Sequence, residues 1–554
     1  MKIVIVGGVA GGAGAAARAR RLDEDAEIVM FERGEFISFA NCGLPYHVGE
    51  VIEDRSDLLL MTPETFRART AVDVRVLHEV TSIDRERKVV TIRNLRTGER
   101  EQESYDKLIL ATGSSPIRPP IPGADDPDVL QLWTIPDMDR IKSRVDEGAQ
   151  RAIVVGGGFI GLEIAENLRE RDIEVDLVEM LPQVLPTLDR EMAQPLAEQL
   201  AEHGVTLRLG RKVQEIHRPS TFEHTSKELV AVLDDGTELS TDFVVMSIGV
   251  RPNSELASEA GLSVGKRGAI QVDAQLRTDD PDIYAVGDVI EVTDLVQGSP
   301  AQIPLAGPAN RQARIVAANV FGGDERYAGS LGTSVVQVFD LSAGSAGATE
   351  RTLLQAEHSY AKTYLHPFSN AAYFPGGAPI SIKLLFEPDS GRILGAQCVG
   401  SKGVDKRVDV IAAVMKTSGT IHDLADLELA YAPPYGSAKD PVNYAGMIAE
   451  NISSGRSNAV SCEQIPEHAV LLDVRQQAER DAGHIPDSLF IPLGQLRSRL
   501  DELPRDKTIV VYCKVGLRGY LGERILKENG FTAANLSGGW ITYQTMRDAG
   551  MICE

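Results

Sequence analysis

Twice in this chain a short apolar run breaks into a glycine-rich turn, continues as a helix-length stretch, and returns to an apolar run that ends in glutamate. The first copy is Ile3–Val6, then Gly7-Gly8-Val9-Ala10-Gly11-Gly12, a helix predicted through Arg21, and Glu27–Glu32. The second is Ala152–Val155, then Gly156-Gly157-Gly158-Phe159-Ile160-Gly161, a helix predicted to about Arg171, and Glu174–Glu179. Such a turn needs glycine where the chain bends sharply, where a pyrophosphate nears the backbone, and where helix packs on strand. The carboxylate ending the second strand is placed for ribose hydroxyls. Two such units predict an α/β fold with parallel sheets and two bound dinucleotides. In the first copy Val9 takes the usual middle-glycine position. The second keeps all three glycines, and Glu179 favours the free 2′-hydroxyl of NADH over the 2′-phosphate of NADPH. Met180-Leu181-Pro182 brings no arginine to reverse that choice.

At 554 residues the chain exceeds one hydrophobic core, and three or four domains are expected. The net charge of −23, with no segment where basic residues gather, argues against nucleic acid as a partner. A few local arginines can still hold one phosphate. Met1-Lys2 runs straight into a strand, unlike a secretion signal, and no run of apolar residues is long enough to span a bilayer, so no membrane role is expected. Five widely spaced cysteines make no disulfide framework and suit no metal site, which points to a reducing cytoplasm. From about Tyr327 to Met447 the pattern turns β-rich, as in Ile380–Phe386, and the polar stretch Asn451–Ala459 reads as a linker to a small α/β domain.

Three further segments bear a family likeness. Leu110-Ala111-Thr112-Gly113-Ser114 and Thr278–Asp288 resemble the two flavin-contacting motifs of the FAD-dependent pyridine nucleotide–disulfide reductases. Ile248-Gly249-Val250-Arg251-Pro252-Asn253 resembles the segment that returns the chain from their NAD domain. With both glycine turns in family order, the resemblance covers about residues 1–450. It implies an FAD-binding domain in two parts, 1–115 and 249–325, an NAD(H)-binding domain at 116–248, and an α+β dimerisation domain at 326–450. FAD then falls to Gly7, Val9, Ala10, Gly11, Gly12, Glu32, Arg33, Val80, Ala111, Thr112, Gly113, Gly287, Asp288 and Ala306. NADH falls to Gly156, Gly158, Ile160, Gly161, Glu163, Glu179 and Gly249. Asp288, at a strand end, can accept hydrogen bonds from ribityl hydroxyls.

Most such reductases carry two cysteines separated by four residues beside the flavin. Here the matching stretch, Ser38-Phe39-Ala40-Asn41-Cys42-Gly43-Leu44-Pro45-Tyr46, has one. A lone Cys42 must be oxidised to a mixed disulfide, a persulfide or a sulfenic acid. Within the single-cysteine subgroup, this stretch resembles the coenzyme A disulfide and persulfide reductases more than the NADH oxidases and peroxidases. Tyr373-Phe374-Pro375-Gly376 and Tyr431-Ala432-Pro433-Pro434 are similar to the same enzymes' C-terminal motifs. The resemblance implies a homodimer in which Tyr373 and Tyr431 reach the partner's substrate sulfur, where a phenol can protonate a leaving thiolate. It assigns coenzyme A to Arg18, Arg21, Ser38, Asn41, Lys439 and Arg69. Asn370 stands where close relatives often have histidine.

The C-terminal segment, residues 460–554, resembles a rhodanese domain after the linker 451–459. Thr508–Tyr512 reads as a buried strand ending at Cys513, and Cys513-Lys514-Val515-Gly516-Leu517-Arg518-Gly519 as the sulfur-carrying loop, with Gly538-Gly539-Trp540 beyond. A short loop closing onto a helix N-terminus aims backbone N–H groups at one point and stabilises a thiolate or persulfide. Arg518 adds positive charge. Cys398 reads as core, Cys462 has no motif, and Cys553 reads as exposed. The expectation is a fusion of coenzyme A disulfide reductase and rhodanese, acting on CoA-linked and inorganic sulfur. Two alternatives stay open: an NADH oxidase or peroxidase cycling Cys42 through sulfenic acid, and a sulfurtransferase with a redox-sensing flavin domain.

Overall fold

A computed structural model describes residues 1–219 and 228–552; Cys553 lies outside the described residues. Packing divides the chain into two compact units, Met1–Met180 with Gly204–Gly332, and Leu181–His203 with Thr333–Glu554. Among the described residues no helix is long and apolar enough to cross a membrane.

The first unit holds both glycine turns, each inside a five-stranded parallel sheet. One sheet runs Ile283–Ala285, Lys107–Leu110, Lys2–Val6, Glu27–Glu32, Asp73–Val76. The other runs Val205–Leu209, Glu174–Glu179, Arg151–Val155, Phe243–Met246, Val129–Gln131. Strands covered on both faces need unbroken apolar runs, and Ile3, Val4, Ile5, Ile153 and Val154 are accordingly buried. The helix Ala10–Leu22 starts directly from the first turn and buries Ala13, Ala15, Ala16 and Ala19. These small side chains let it lie close to its neighbours: a Cβ on Gly14 would stand 3.0 Å from Ala313 Cβ, on the helix Ala306–Val320.

The second unit joins two sheets. An antiparallel one runs Ser334–Val338, Leu341–Gly347, Ile393–Gly400, Ile380–Phe386, Ala361–Leu365. Cys398 sits at its centre, fully buried, as its apolar surroundings in sequence suggested. A parallel one runs Ala459–Val460, Ala533–Leu536, Ile509–Tyr512, Val470–Asp473, Leu489–Phe490. Between them the helix Pro441–Ser453 extends into the segment expected to be a linker, and Ala459 already pairs with Asn535. The residues between are anchored too: Ser457 Oγ donates to Glu523 Oε2 at 2.5 Å, and Asn458 N–H to Glu523 Oε1 at 2.6 Å.

Leu181–His203 follows the strand ending at Glu179, yet its packing is with the second unit. Asp189 N–H donates to Gln397 Oε1 at 2.8 Å, and Gln397 Nε2 returns a bond to Asp189 Oδ2 at 2.6 Å. Asp189, Glu191 and Glu350 converge there. The centre of that acidic group is filled by the fully buried ammonium of Lys383, bonded to all three.

Candidate active site

The two glycine turns have one geometry. Gly7 and Gly156 both take φ +107°, which L side chains rarely adopt. A Cβ on Gly12 would stand 1.8 Å from Gly7 O, and one on Gly161 1.8 Å from Gly156 O. In each turn the strand-end glutamate is held by the second glycine: Gly8 N–H donates to Glu32 Oε2 and Gly157 N–H to Glu179 Oε2, both at 2.7 Å. The helices Ala10–Leu22 and Phe159–Arg169 follow the N-cap residues Val9 and Gly158, neither of which caps with a side chain, so no side-chain cap competes with an anion at either helix start.

Around the first turn, Ala111 lies against Gly7, and Gly113 takes φ +64°. Thr112 Oγ1 donates to Asn253 O at 2.7 Å, and Arg33 Nη2 to Ser115 Oγ at 3.3 Å. Gly287 N–H donates to Gln312 Oε1, and Ser114 Oγ to Asp288 Oδ2 at 2.8 Å. Burial pushes the Asp288 carboxyl up from its ordinary value. Val80 is buried in the core, on the strand His78–Asp84 where it pairs with Ile92, and Ala306 begins the helix packed on Ala10–Leu22. Gly249, at φ +109°, lies exposed beyond the second sheet.

Cys42 sits in the short turn Asn41–Gly43 that leads into the helix Leu44–Val48. Gly43 permits the turn, because a Cβ there would stand 2.5 Å from Leu58 Cδ2. Ser38 takes a left-handed φ of +46° and donates its N–H to Gly8 O at 2.9 Å, which fastens the cysteine segment to the first glycine turn. Cys42 is exposed, with Sγ 3.9 Å from Asn41 Oδ1. Arg18 is half-buried and its Nε, among the described residues, lacks a partner; Arg21 and Arg69 are exposed. Arg20, between the first two, turns inward to Thr70 O and Ala71 O.

The structure adds a pair that the sequence reading did not join. Tyr46 OH donates to Glu163 Oε1 at 3.5 Å. Burial, reinforced by Glu166, raises the Glu163 carboxyl to about 7. Burial, then the charges of Glu163 and Asp288, raises the Cys42 thiol. Glu163→Gln removes one of those charges, so the midpoint of Cys42 alkylation should move to lower pH and alkylation at neutral pH should quicken by about threefold. A pH profile of iodoacetamide labelling measures it, and an unmoved or higher midpoint refutes the coupling.

In the second unit the phenols of Tyr373 and Tyr431 lie 3.0 Å apart on exposed loops. Their loops are tied together beneath: Asn370 Nδ2 donates to Pro433 O at 3.1 Å, and Ala371 N–H to Gly436 O at 2.9 Å. The buried Arg407 bonds Ser369 O at 2.6 Å and Asp440 Oδ2 at 2.8 Å; the exposed Lys439 precedes Asp440.

Cys513 directly follows the strand Ile509–Tyr512 and is fully buried. Gly516, at φ +98°, donates its N–H to Cys513 Sγ at 3.2 Å, one of the donors the loop was expected to supply. Arg518 stands at the start of the helix Leu517–Glu528, but its charge is shared: Nη1 and Nη2 bond the two Glu479 oxygens at 2.7 and 2.6 Å. That pair holds Glu479 down to about 2.

Residues 1–309 match the family model described as pyridine nucleotide-disulphide oxidoreductase, and residues 333–441 its dimerisation domain. The chain belongs to this family. Residues 460–545 match the rhodanese-like domain. The coenzyme A disulfide reductase of Staphylococcus haemolyticus is 34% identical over 453 residues, 81% of this chain and 100% of that protein. The solved structure of reduced Bacillus anthracis CoADR-RHD aligns at 47% identity with a TM-score of 0.95, over 99% of this chain and 98% of that one. The NAD-dependent persulfide reductase from A. fulgidus aligns at 39% identity with a TM-score of 0.92, over 98% and 100%. The chain is thus a flavoprotein oxidoreductase with a rhodanese domain appended, and its family implies FAD and NAD(H). The glycine cradles, the bonded glutamates and the Ser114–Asp288 pair fit two dinucleotides.

Proposed function

We propose that this enzyme spends NADH to cleave sulfur–sulfur bonds carried on coenzyme A, with CoA persulfide and polysulfide preferred over CoA disulfide. The observation that carries the reading is the pairing of two unlike thiols in one chain. Cys42 is exposed beside Glu163 and Asp288, whereas Cys513 is enclosed under the Gly516 N–H. A plain disulfide has no need of Cys513, but a substrate bearing sulfane sulfur does. The similarity to a coenzyme A disulfide reductase and to a persulfide reductase supports both halves of the proposal.

FAD would be held by Gly7–Gly12, Glu32, Arg33, Ala111–Gly113, Gly287, Asp288 and Ala306, and when bound supplies two-electron exchange between NADH and sulfur. Gly156–Gly161, Glu163 and Gly249 would hold NADH, and Glu179 its ribose. Arg18, Arg21, Ser38, Asn41 and Arg69, with Lys439, would bind coenzyme A. The Cys42 thiolate attacks the CoA-bearing sulfur of CoA persulfide; hydrosulfide leaves, and a Cys42–CoA mixed disulfide forms. Two electrons and a proton then return the Cys42 thiolate and release CoA thiol. Tyr373 and Tyr431, brought by the partner of a homodimer, orient and protonate the departing sulfur. The Cys513 thiolate takes the outer sulfur of thiosulfate or polysulfide, releasing sulfite or a polysulfide one sulfur shorter. The Cys513 persulfide, stabilised by Gly516 N–H and Arg518, passes that sulfur to the CoA thiolate or towards Cys42 and returns as thiolate. Two free thiols suit a reducing cytoplasm.

The test is anaerobic NADH oxidation with CoA persulfide, polysulfide and CoA disulfide, in wild type and Cys513→Ser. Persulfide or polysulfide should turn over faster than CoA disulfide and release hydrosulfide. Cys513→Ser should lower the polysulfide rate at least about tenfold and leave CoA disulfide reduction unchanged. CoA disulfide as the best substrate, with no effect of Cys513→Ser, would overturn the sulfane-sulfur preference.

A further inference from the structure

The rhodanese loop does not stand on its own domain alone. Cys513 O accepts from Trp540 N–H at 2.8 Å and Lys514 O from Ile541 N–H at 3.1 Å, so the N-terminus of the helix Gly539–Asp548 closes over the back of the loop. A Cβ on Gly539 would stand 2.4 Å from Cys513 O and 2.9 Å from Gly516 N, the nitrogen whose N–H reaches Cys513 Sγ. The loop and this helix start are therefore in direct contact.

The opposite side of the helix start rests on the antiparallel sheet of the dimerisation region. Tyr364, in the strand Ala361–Leu365, donates its N–H to Ser537 Oγ at 3.0 Å. A Cβ on Gly538 would stand 2.8 Å from Tyr364 Cβ, so no side chain fits between them. His366, just beyond the strand, bridges the two layers: Nδ1 pairs with Ser381 Oγ and Nε2 with Thr542 Oγ1, each at 2.8 Å. Thr542 is buried on the helix that caps the Cys513 loop. Burial lowers the imidazole to about 4, so it is neutral and presents one donor and one acceptor.

We infer that His366 and Tyr364 are positioning residues for Cys513, acting through Ser537–Thr542, so that the dimerisation sheet sets the geometry of the rhodanese thiol. A displacement of the helix start is passed to Gly516 N–H, because close-packed backbone leaves no slack between them. The inference concerns the geometry of the thiol; it rests on the proposed sulfur-carrier role only where sulfur transfer is the readout.

The experiment uses the full flavin-loaded chain with His366→Ala and Thr542→Val, which remove the two ends of one hydrogen bond. Both should slow sulfur transfer from thiosulfate to cyanide by about tenfold. Both should also shift the pH profile of Cys513 alkylation, followed by mass spectrometry of its peptide. His366→Gln, which keeps a polar group towards Thr542, should restore most of each change. NADH-driven reduction of CoA disulfide should stay at the wild-type rate in all three. An unchanged Cys513 profile in both variants overturns the inference. So does a parallel fall in CoA disulfide reduction, which marks general support of the fold. If wild type transfers no sulfur but both variants shift the Cys513 profile, the carrier role fails and the positioning role stands.

Discussion

Cys42→Ser should abolish NADH-driven reduction of CoA persulfide, polysulfide and CoA disulfide, with a loss of at least about 10³-fold. It should leave thiosulfate-to-cyanide transfer at Cys513 within about twofold of wild type. A serine hydroxyl forms no bond to sulfur that two electrons can cleave, so no residual path through this position exists. Cys513 follows a different strand in a different compact unit, and its Gly516 N–H and Arg518 are untouched by the change. The measurement pairs anaerobic NADH consumption with thiocyanate formation on one preparation. Retained sulfur reduction would remove Cys42 from the reaction, and the single-cysteine reading with it. Wild type that reduces oxygen or peroxide faster than any sulfur substrate would restore the sulfenic-acid reading. Thiosulfate transfer without any NADH-driven sulfur reduction in wild type would favour the sulfurtransferase with a redox-sensing flavin domain.

Local backbone demands made the nucleotide sites legible. Gly7 and Gly156 adopt the same positive φ, and Gly12 and Gly161 lie against the same carbonyl of their turns, so the chemistry of each turn is written in adjacent residues. The Cys513 loop is legible for the same reason, since the strand, Gly516 and the helix start follow one another in the chain. What was not legible depends on partners far apart in sequence. Tyr46 and Glu163 meet across 117 positions, and nothing beside either residue announces the other. Glu479, which shares the charge of Arg518, lies 39 positions upstream of it. Asn451–Ala459 read as a linker from its polar, glycine- and serine-bearing composition, yet Ser457 and Asn458 are fixed by a buried glutamate on a later helix. Composition reports the cost of burying such residues, not the partner that offsets it.

Lys383 is the sharpest case: it lies within the apolar run Ile380–Phe386, is fully buried, and its carboxylate partners Asp189, Glu191 and Glu350 all lie far from it in sequence. Lys383→Met should destabilise the second unit by about 3–5 kcal/mol, the range for breaking a buried pair and stranding its partners. Burial opposes the charge of Lys383, but Glu191, Asp189 and Glu350 outweigh it and push the ammonium above its ordinary range. Burial likewise opposes the charge of Glu350, but Lys383 and Lys362 outweigh it and hold the carboxyl down to about 2. A carboxyl depressed on folding stabilises the protein above its unfolded value, and that contribution is lost as pH falls towards the folded one. Without Lys383 the main charge holding the Glu350 carboxyl down is gone, and the stability that its depression contributes is reduced. The gap between wild type and Lys383→Met should therefore be widest near pH 7 and narrow as pH falls below about 4.5 towards about 2. Urea unfolding at several pH values, monitored on the second unit, measures it. A gap under about 1 kcal/mol that does not change with pH would mean that the Lys383 cluster contributes little, and that Leu181–His203 is held by apolar packing instead.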